Sequence, residues 1–97
     1  MARLNVVTPA QATGRTRELY DAITRAVGTV PNIYQGLGNS EVALEGALQT
    51  DGILKKGQLS AAEIEAIKLA VSEAYSCEYC LAAHSLLGRK AGLSDDE

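Results

Sequence analysis

Apolar residues recur along the chain at three- and four-residue intervals, and no stretch sustains the alternation of a strand. From Thr16 to Val27 the stripe is Leu19, Ile23, Ala26 and Val27, with Gly28 as its stop. "GTVPNIYQGLGNS" then turns at Val30-Pro31 and leads into a short helix carrying Ile33, Tyr34 and Leu37. Ser40 is placed to cap the next helix, whose buried stripe is Leu44, Ala47 and Leu48, while Gly52 and Gly57 loosen its far end in "DGILKKG". A further helix runs to about Tyr75 with Ile64, Ile67, Val71 and Ala74 on one face, and another runs from Cys77 through "LAAHSLLGRKA" to Gly92. The pattern predicts an all-α fold, a single helical domain over residues 1–97.

The helix starts are written in capping residues. Thr8-Pro9 reads as an N-cap followed by proline at the first helical position. Ser60 and Glu63 form a capping box, with Leu59 and Ile64 placed to close a hydrophobic staple around it. Ser76 is expected to cap the helix that begins at Cys77. At the end of the chain "LSDDE" repeats the grammar of "LSAAE", with Ser94 and Glu97 as the box. A further helix is therefore expected to start at 94–97, and the domain is expected to be truncated at its C-terminus.

Composition narrows the class. At 97 residues, with 46% hydrophobic and 22% charged positions, the chain has the make-up of one small globular domain. There is no Trp and no Phe, so Leu, Ile, Val and Ala must build the core, and a core this lean often relies on partner subunits. The net charge of −3, with no basic stripe, argues against nucleic-acid binding. No apolar run has the length of a bilayer span, and "MARLNVVTPA" lacks the apolar core of a signal peptide. A cytoplasmic, reducing location is the expectation, and there two cysteines are more often catalytic or metal-binding than a structural staple.

Both cysteines and the one histidine fall within "SCEYCLAAHS". At about 100° per residue, Cys77, Cys80, His84 and Leu87 share one narrow arc of a helix. A thiolate at Cys77 would face unpaired backbone N–H groups and the positive end of the helix dipole, which lower a thiol pKa. Cys80 lies one turn on, where two sulfurs can meet, and a histidine on the same face can take or relay a thiol proton. Haem attachment needs histidine directly after the second cysteine, and Leu81 stands there. A thioredoxin motif needs a βαβ setting that this helical pattern lacks. A zinc site would need a fourth ligand from Glu65, Glu73 or another subunit, and simple packing of the three side chains in a core is the plainest alternative. Glu78 is placed to face solvent. Glu65 sits between Ile64 and Ala66 with Leu69 and Ser72 on its side, so a partner is required there, and His84 on the next helix is the natural one.

The run "EAIKLAVSEAYSCEYCLAAHSLLGRKAGLS" resembles the carboxymuconolactone decarboxylase-like superfamily and, within it, the AhpD-like alkylhydroperoxidases. Their pattern, a glutamate about twelve residues before C-x-x-C and a histidine four after it, is matched by Glu65, Cys77, Cys80 and His84. "LYDAITRAVGTVPNIYQGLGNSEVALEGALQ" is similar to the N-terminal part of the peroxidase-related branch, including its V-P-N turn. The resemblance implies antiparallel helices packed into a homo-oligomer, a trimer or hexamer, with no cofactor and no metal. It also implies a peroxiredoxin-type oxidoreductase activity: reduction of alkyl hydroperoxides at the expense of a dithiol or protein reductant. Cys80 would attack the peroxide, Cys77 would resolve the sulfenic acid, and His84 with Glu65 would relay protons. Helix-end electrostatics alone favour Cys77 as the more acidic thiol, so the two arguments weigh the cysteines differently. Better-studied relatives carry a second histidine before the second cysteine, where Tyr79 stands here, and a phenol is a poor base at neutral pH. The other readings are a carboxymuconolactone decarboxylase-type enzyme, against which both cysteines count, and a non-enzymatic redox-sensing or zinc-stabilised helical module.

Overall fold

The computed structural model describes residues 5–94. Among them are five α-helices and no strand: α1 (Gly14–Val27), α2 (Asn32–Leu37), α3 (Glu41–Leu54), α4 (Ala61–Ala74) and α5 (Glu78–Lys90). The all-α expectation therefore holds. The chain divides into two compact units, Met1–Gly52 and Ile53–Glu97.

In the first unit the core is Ala12, Leu19, Tyr20, Ile23, Val30 and Leu44, with Val7, Tyr34, Leu37 and Leu48 packed against it. Tyr20 is the one large aromatic in that core and its hydroxyl would be costly to bury unpaired. It donates to the carbonyl of Val7 at 2.8 Å and lies 3.3 Å from that of Tyr34, so a single phenol ties the N-terminal segment to α2. Burial also pushes the phenol's pKa up, which keeps it a donor. The ring lies directly over Gly38, where an added Cβ would collide with the hydroxyl and come within 2.9 Å of the ring carbon that bears it. Gly38 is glycine for space, since its φ of −61° suits any residue.

The punctuation of this unit follows the sequence in part. Gly28 ends α1 in the left-handed conformation (φ 88°), and its N–H bonds to Thr24. The Ser40 hydroxyl accepts from the Ala43 N–H at 3.2 Å, as an N-cap does. Thr8-Pro9, by contrast, starts no helix. The Gln11 and Ala12 amides both donate to the Thr8 carbonyl, closing an isolated turn, and α1 begins later with Thr13 as its N-cap. Proline fixes one φ and permits a turn as readily as a helix. Gly52 does not interrupt α3, which continues to Leu54, and Gly57 then receives the chain in a turn.

In the second unit α4 and α5 pack against each other. The Ser60–Glu63 capping box is complete: the hydroxyl accepts from the Glu63 N–H at 3.1 Å and the carboxylate accepts from the Ser60 N–H at 2.8 Å. That second bond holds the Glu63 carboxyl below its ordinary pKa. Leu59 of the expected staple stays largely exposed. The inward face of α4 differs from the expected one. Ile67 and Val71 are half exposed, whereas Glu65 and Ser72 are buried. Hydrophobic spacing identifies an apolar stripe but not which neighbour meets it, and here α5 meets the adjacent stripe. Of the expected helix start at 94–97, all but Ser94 lies outside the described residues.

Two glycines test the first unit's packing. Gly38→Ala drives a methyl into a ring held by its own hydrogen bond and is expected to cost about 1–3 kcal/mol. Gly46→Ala, in α3 with nothing within 4 Å of the new Cβ, is expected to stabilise by about 0.5–1 kcal/mol. Urea unfolding midpoints of the two variants should move in opposite directions.

Candidate functional site

The site lies within the α4–α5 pair. On α4, Glu65 and Ser72 are two turns apart on the buried side. Ser72 offsets its own burial by donating to the Lys68 carbonyl at 2.6 Å, an i−4 back-bond. Glu65 finds its partner across the helix pair: the His84 ring nitrogen Nδ1 and Glu65 Oε2 are 2.7 Å apart. A carboxylate only accepts, so Nδ1 carries the hydrogen and donates to it. That bond fixes the imidazole's orientation and leaves Nε2 as the ring's second position for accepting or releasing a proton.

A glycine packs beside this contact. Gly88, one turn beyond His84, is buried, and a Cβ there would lie 3.8 Å from Glu65 Cβ, 3.7 Å from Leu69 Cδ1 and 3.1 Å from Leu93 Cδ1. The two α4 distances are ordinary van der Waals spacing, so the close approach that favours glycine is that of Leu93, just past the end of α5. Leu87, expected on the same arc as the cysteines and His84, is instead 39% exposed, and Gly88 takes the inward place. Position 88 follows His84 at the i+4 spacing and position 87 at i+3, and both spacings lie on one helix face.

The two cysteines are joined as a disulfide, with 5.2 Å between their Cα atoms. Their placement rests on an unusual junction. The α4 helix closes with the Ser76 N–H bonded to the Glu73 carbonyl and the Cys77 N–H bonded to the Ser72 carbonyl at 2.9 Å. This is a Schellman ending, and the residue that must turn left-handed in it is Ser76, at φ 54°. The end of α5 is built the same way, with Gly92 at φ 103° and the Leu93 N–H bonded to Gly88. Contrary to the expectation from its residue type, Ser76 therefore does not cap α5. Cys77 is the N-cap, in extended backbone, and its Sγ accepts from the Cys80 N–H at 3.2 Å. Only the chain's actual hydrogen-bond register separates these two assignments, which differ by one residue.

The remaining acids play no part in this geometry. Glu73 and Glu78 are exposed, Glu78 in the first turn of α5 where a negative charge suits the helix dipole. Tyr79 is about half exposed. Among the described residues, no three His, Cys, Asp or Glu side chains gather in a way that could hold a metal ion. No described helix is long and apolar enough to cross a membrane. The sequence-predicted set is thus partly assembled: Glu65 with His84 by a hydrogen bond, Cys77 with Cys80 by a covalent one, and the second pair one helical turn before the histidine on α5.

Residues 33–97 match the model of the carboxymuconolactone decarboxylase family, and the chain belongs to that family. Among solved structures, the fold is similar to the crystal structure of an alkylhydroperoxidase AhpD core from Rhodospirillum rubrum, with a TM-score of 0.87 and 28% identity. The match covers 99% of this chain and 75% of that one. No curated protein sequence matches the chain.

The ring assignment is directly testable, because His84 is the chain's only histidine. Nitrogen NMR of the imidazole at a pH where it is neutral is expected to show the Nδ1–H tautomer. In Glu65→Leu the acceptor is gone, and the spectrum should shift to the Nε2–H form that predominates in free imidazole side chains.

Proposed function

We propose that the chain is a thiol-dependent peroxidase that reduces alkyl hydroperoxides through Cys77 and Cys80, with Glu65 and His84 moving the protons. The observation that carries this reading is the hydrogen-bonded Glu65–His84 pair set one turn from a cysteine pair that closes as a disulfide. A buried carboxylate that orients an imidazole beside a thiol is the arrangement of an activated nucleophile. The name of the similar Rhodospirillum rubrum structure points the same way.

In the reaction, Cys80 as thiolate attacks one peroxide oxygen. The O–O bond breaks, the departing alkoxide takes a proton relayed through His84, and Cys80 becomes a sulfenic acid. Cys77 then attacks the Cys80 sulfur, the S–O bond breaks, and the hydroxide leaves as water after taking the remaining proton. One hydroperoxide and two thiols become one alcohol, one water and the disulfide, a two-electron exchange. A dithiol or a protein reductant supplies the two electrons and two protons that restore the pair, as a reducing cytoplasm would provide.

The junction reconciles the two arguments about the cysteines. In the disulfide the Cys77 sulfur accepts from the Cys80 N–H in the first turn of α5, and the same donor would stabilise the thiolate that reduction releases. That makes it the better leaving group when a reductant attacks Cys80, since exchange is faster when the departing thiol has the lower pKa. Cys80 is then the sulfur that both peroxide and reductant meet. Assembly into a homo-oligomer belongs to the same proposal, supported by Ile67, Val71 and Leu86, each at least 50% exposed on α4 and α5.

An alkyl hydroperoxide added to the reduced protein is expected to consume both thiols, two per peroxide and so one peroxide per chain, and to leave an intramolecular disulfide, read by mass spectrometry. Cys80→Ser should abolish turnover, and His84→Ala should slow it by roughly 10²–10⁴-fold, the usual scale of a lost proton-transfer group. Full turnover by Cys80→Ser in a coupled assay would overturn the assignment.

A further inference from the structure

We propose that Ser76 is a positioning residue. Its left-handed backbone makes Cys77 both the last bonded residue of the α4 ending and the N-cap of α5, and so holds Cys77 Sγ where the first turn of α5 stabilises it as a thiolate. This rests on the thiol chemistry proposed above but is tested without peroxide.

The argument starts from a mismatch between residue and conformation. Among the described residues the positive-φ positions are Gly14, Gly28, Gly92 and Ser76, so Ser76 alone carries a side chain into that region. A side chain at φ 54° is strained unless the surroundings impose it. Two bonds impose it here. The Ser76 N–H reaches back to Glu73 at 3.1 Å and the Cys77 N–H to Ser72 at 2.9 Å. Ser72 is itself buried and tied to Lys68, so the anchor for the Cys77 backbone is the interior of α4 and not a free loop.

From that anchor the chain has no choice of start for α5. Cys77 takes extended backbone (φ −88°, ψ 95°), its carbonyl accepts from the Leu81 N–H at 2.9 Å, and its sulfur accepts from the Cys80 N–H at 3.2 Å. Were Ser76 to relax to a right-handed or extended conformation, the Cys77 amide would leave Ser72 and the sulfur would lose its place at the first turn. The thiol would then lose the N-terminal backbone donors that lower its pKa. The charged groups nearby are Glu73 at the end of α4, Glu78 in the first turn of α5, and the Glu65–His84 pair one turn past Cys80; Lys68 lies one turn before Ser72. None of them is altered by a change at position 76, so a difference between variants there reports the backbone.

The test isolates one thiol. In the reduced Cys80→Ser protein, Cys77 is the remaining cysteine, and its ionisation is followed by thiolate absorbance near 240 nm and by the pH dependence of alkylation. Ser76→Gly accepts the left-handed conformation freely and should leave the Cys77 midpoint where it is. Ser76→Val, β-branched and poorly tolerated there, should raise the midpoint, with roughly tenfold less thiolate at a fixed pH below it. Ser76→Ala, a milder change, keeps the comparison readable if the valine variant does not fold. A thermal-melting control separates the roles: a merely structural residue lowers the melting temperature and leaves the midpoint unmoved. Unchanged midpoints in both folded Ala and Val variants, or a glycine variant shifted as far as alanine, would overturn the proposal. Peroxide turnover of the unmodified protein is scored separately. If it is nil while the midpoint follows residue 76, the peroxidase reading fails and the positioning role stands.

Discussion

A carboxylate held inside a helix pair must have a donor, and the rest of the second unit is arranged around that requirement. Glu65 is buried on α4, and leaving such a group unpaired costs several times what a surface ion pair returns. One donor of α5 meets the need, the imidazole of His84. The bond fixes which turn of α5 lies against which turn of α4, and Gly88 faces Glu65 and Leu69 one turn further on. Register and ring orientation are thus one decision taken at one hydrogen bond.

The cysteine pair inherits its position from that decision and from the turn before it. His84 stands four residues after Cys80, so whatever fixes the imidazole on α4 also fixes the level of the disulfide. From the other direction, the α4 ending delivers Cys77 to the start of α5 through the Ser72 carbonyl. The site is therefore held at both ends by α4, with the Cys77–Cys80 disulfide at one and the Glu65–His84 hydrogen bond at the other.

Much of this was legible in the residues, for identifiable reasons. Capping boxes and C-terminal glycines act through neighbours in sequence, so the Ser60–Glu63 box, the Ser40 cap and the stop at Gly28 could be read directly. The Glu65–His84 contact was legible as a need, because a glutamate among apolar neighbours demands a partner. What the sequence could not reveal was which stripe of α4 would be covered. Ile67 and Val71 carry the stronger hydrophobic signal, yet the weaker stripe of Glu65, Leu69 and Ser72 is the one α5 meets. Composition also favours serine over cysteine as an N-cap, so the one-residue shift from Ser76 to Cys77 depended on backbone torsions that no spacing rule encodes.

The overlap of two helix ends on Cys77 has a consequence for how the chain can vary. A connection between helices ordinarily has residues to spare, and surface loops accept insertions at little thermodynamic cost. Here the residue that finishes one helix also begins the next, and that residue is one of the two disulfide cysteines. An added residue between Ala74 and Glu78 would turn the sulfur by most of a third of a helical turn, and a deletion would remove the left-handed corner altogether. Length, more than side-chain identity, is the quantity this stretch cannot change.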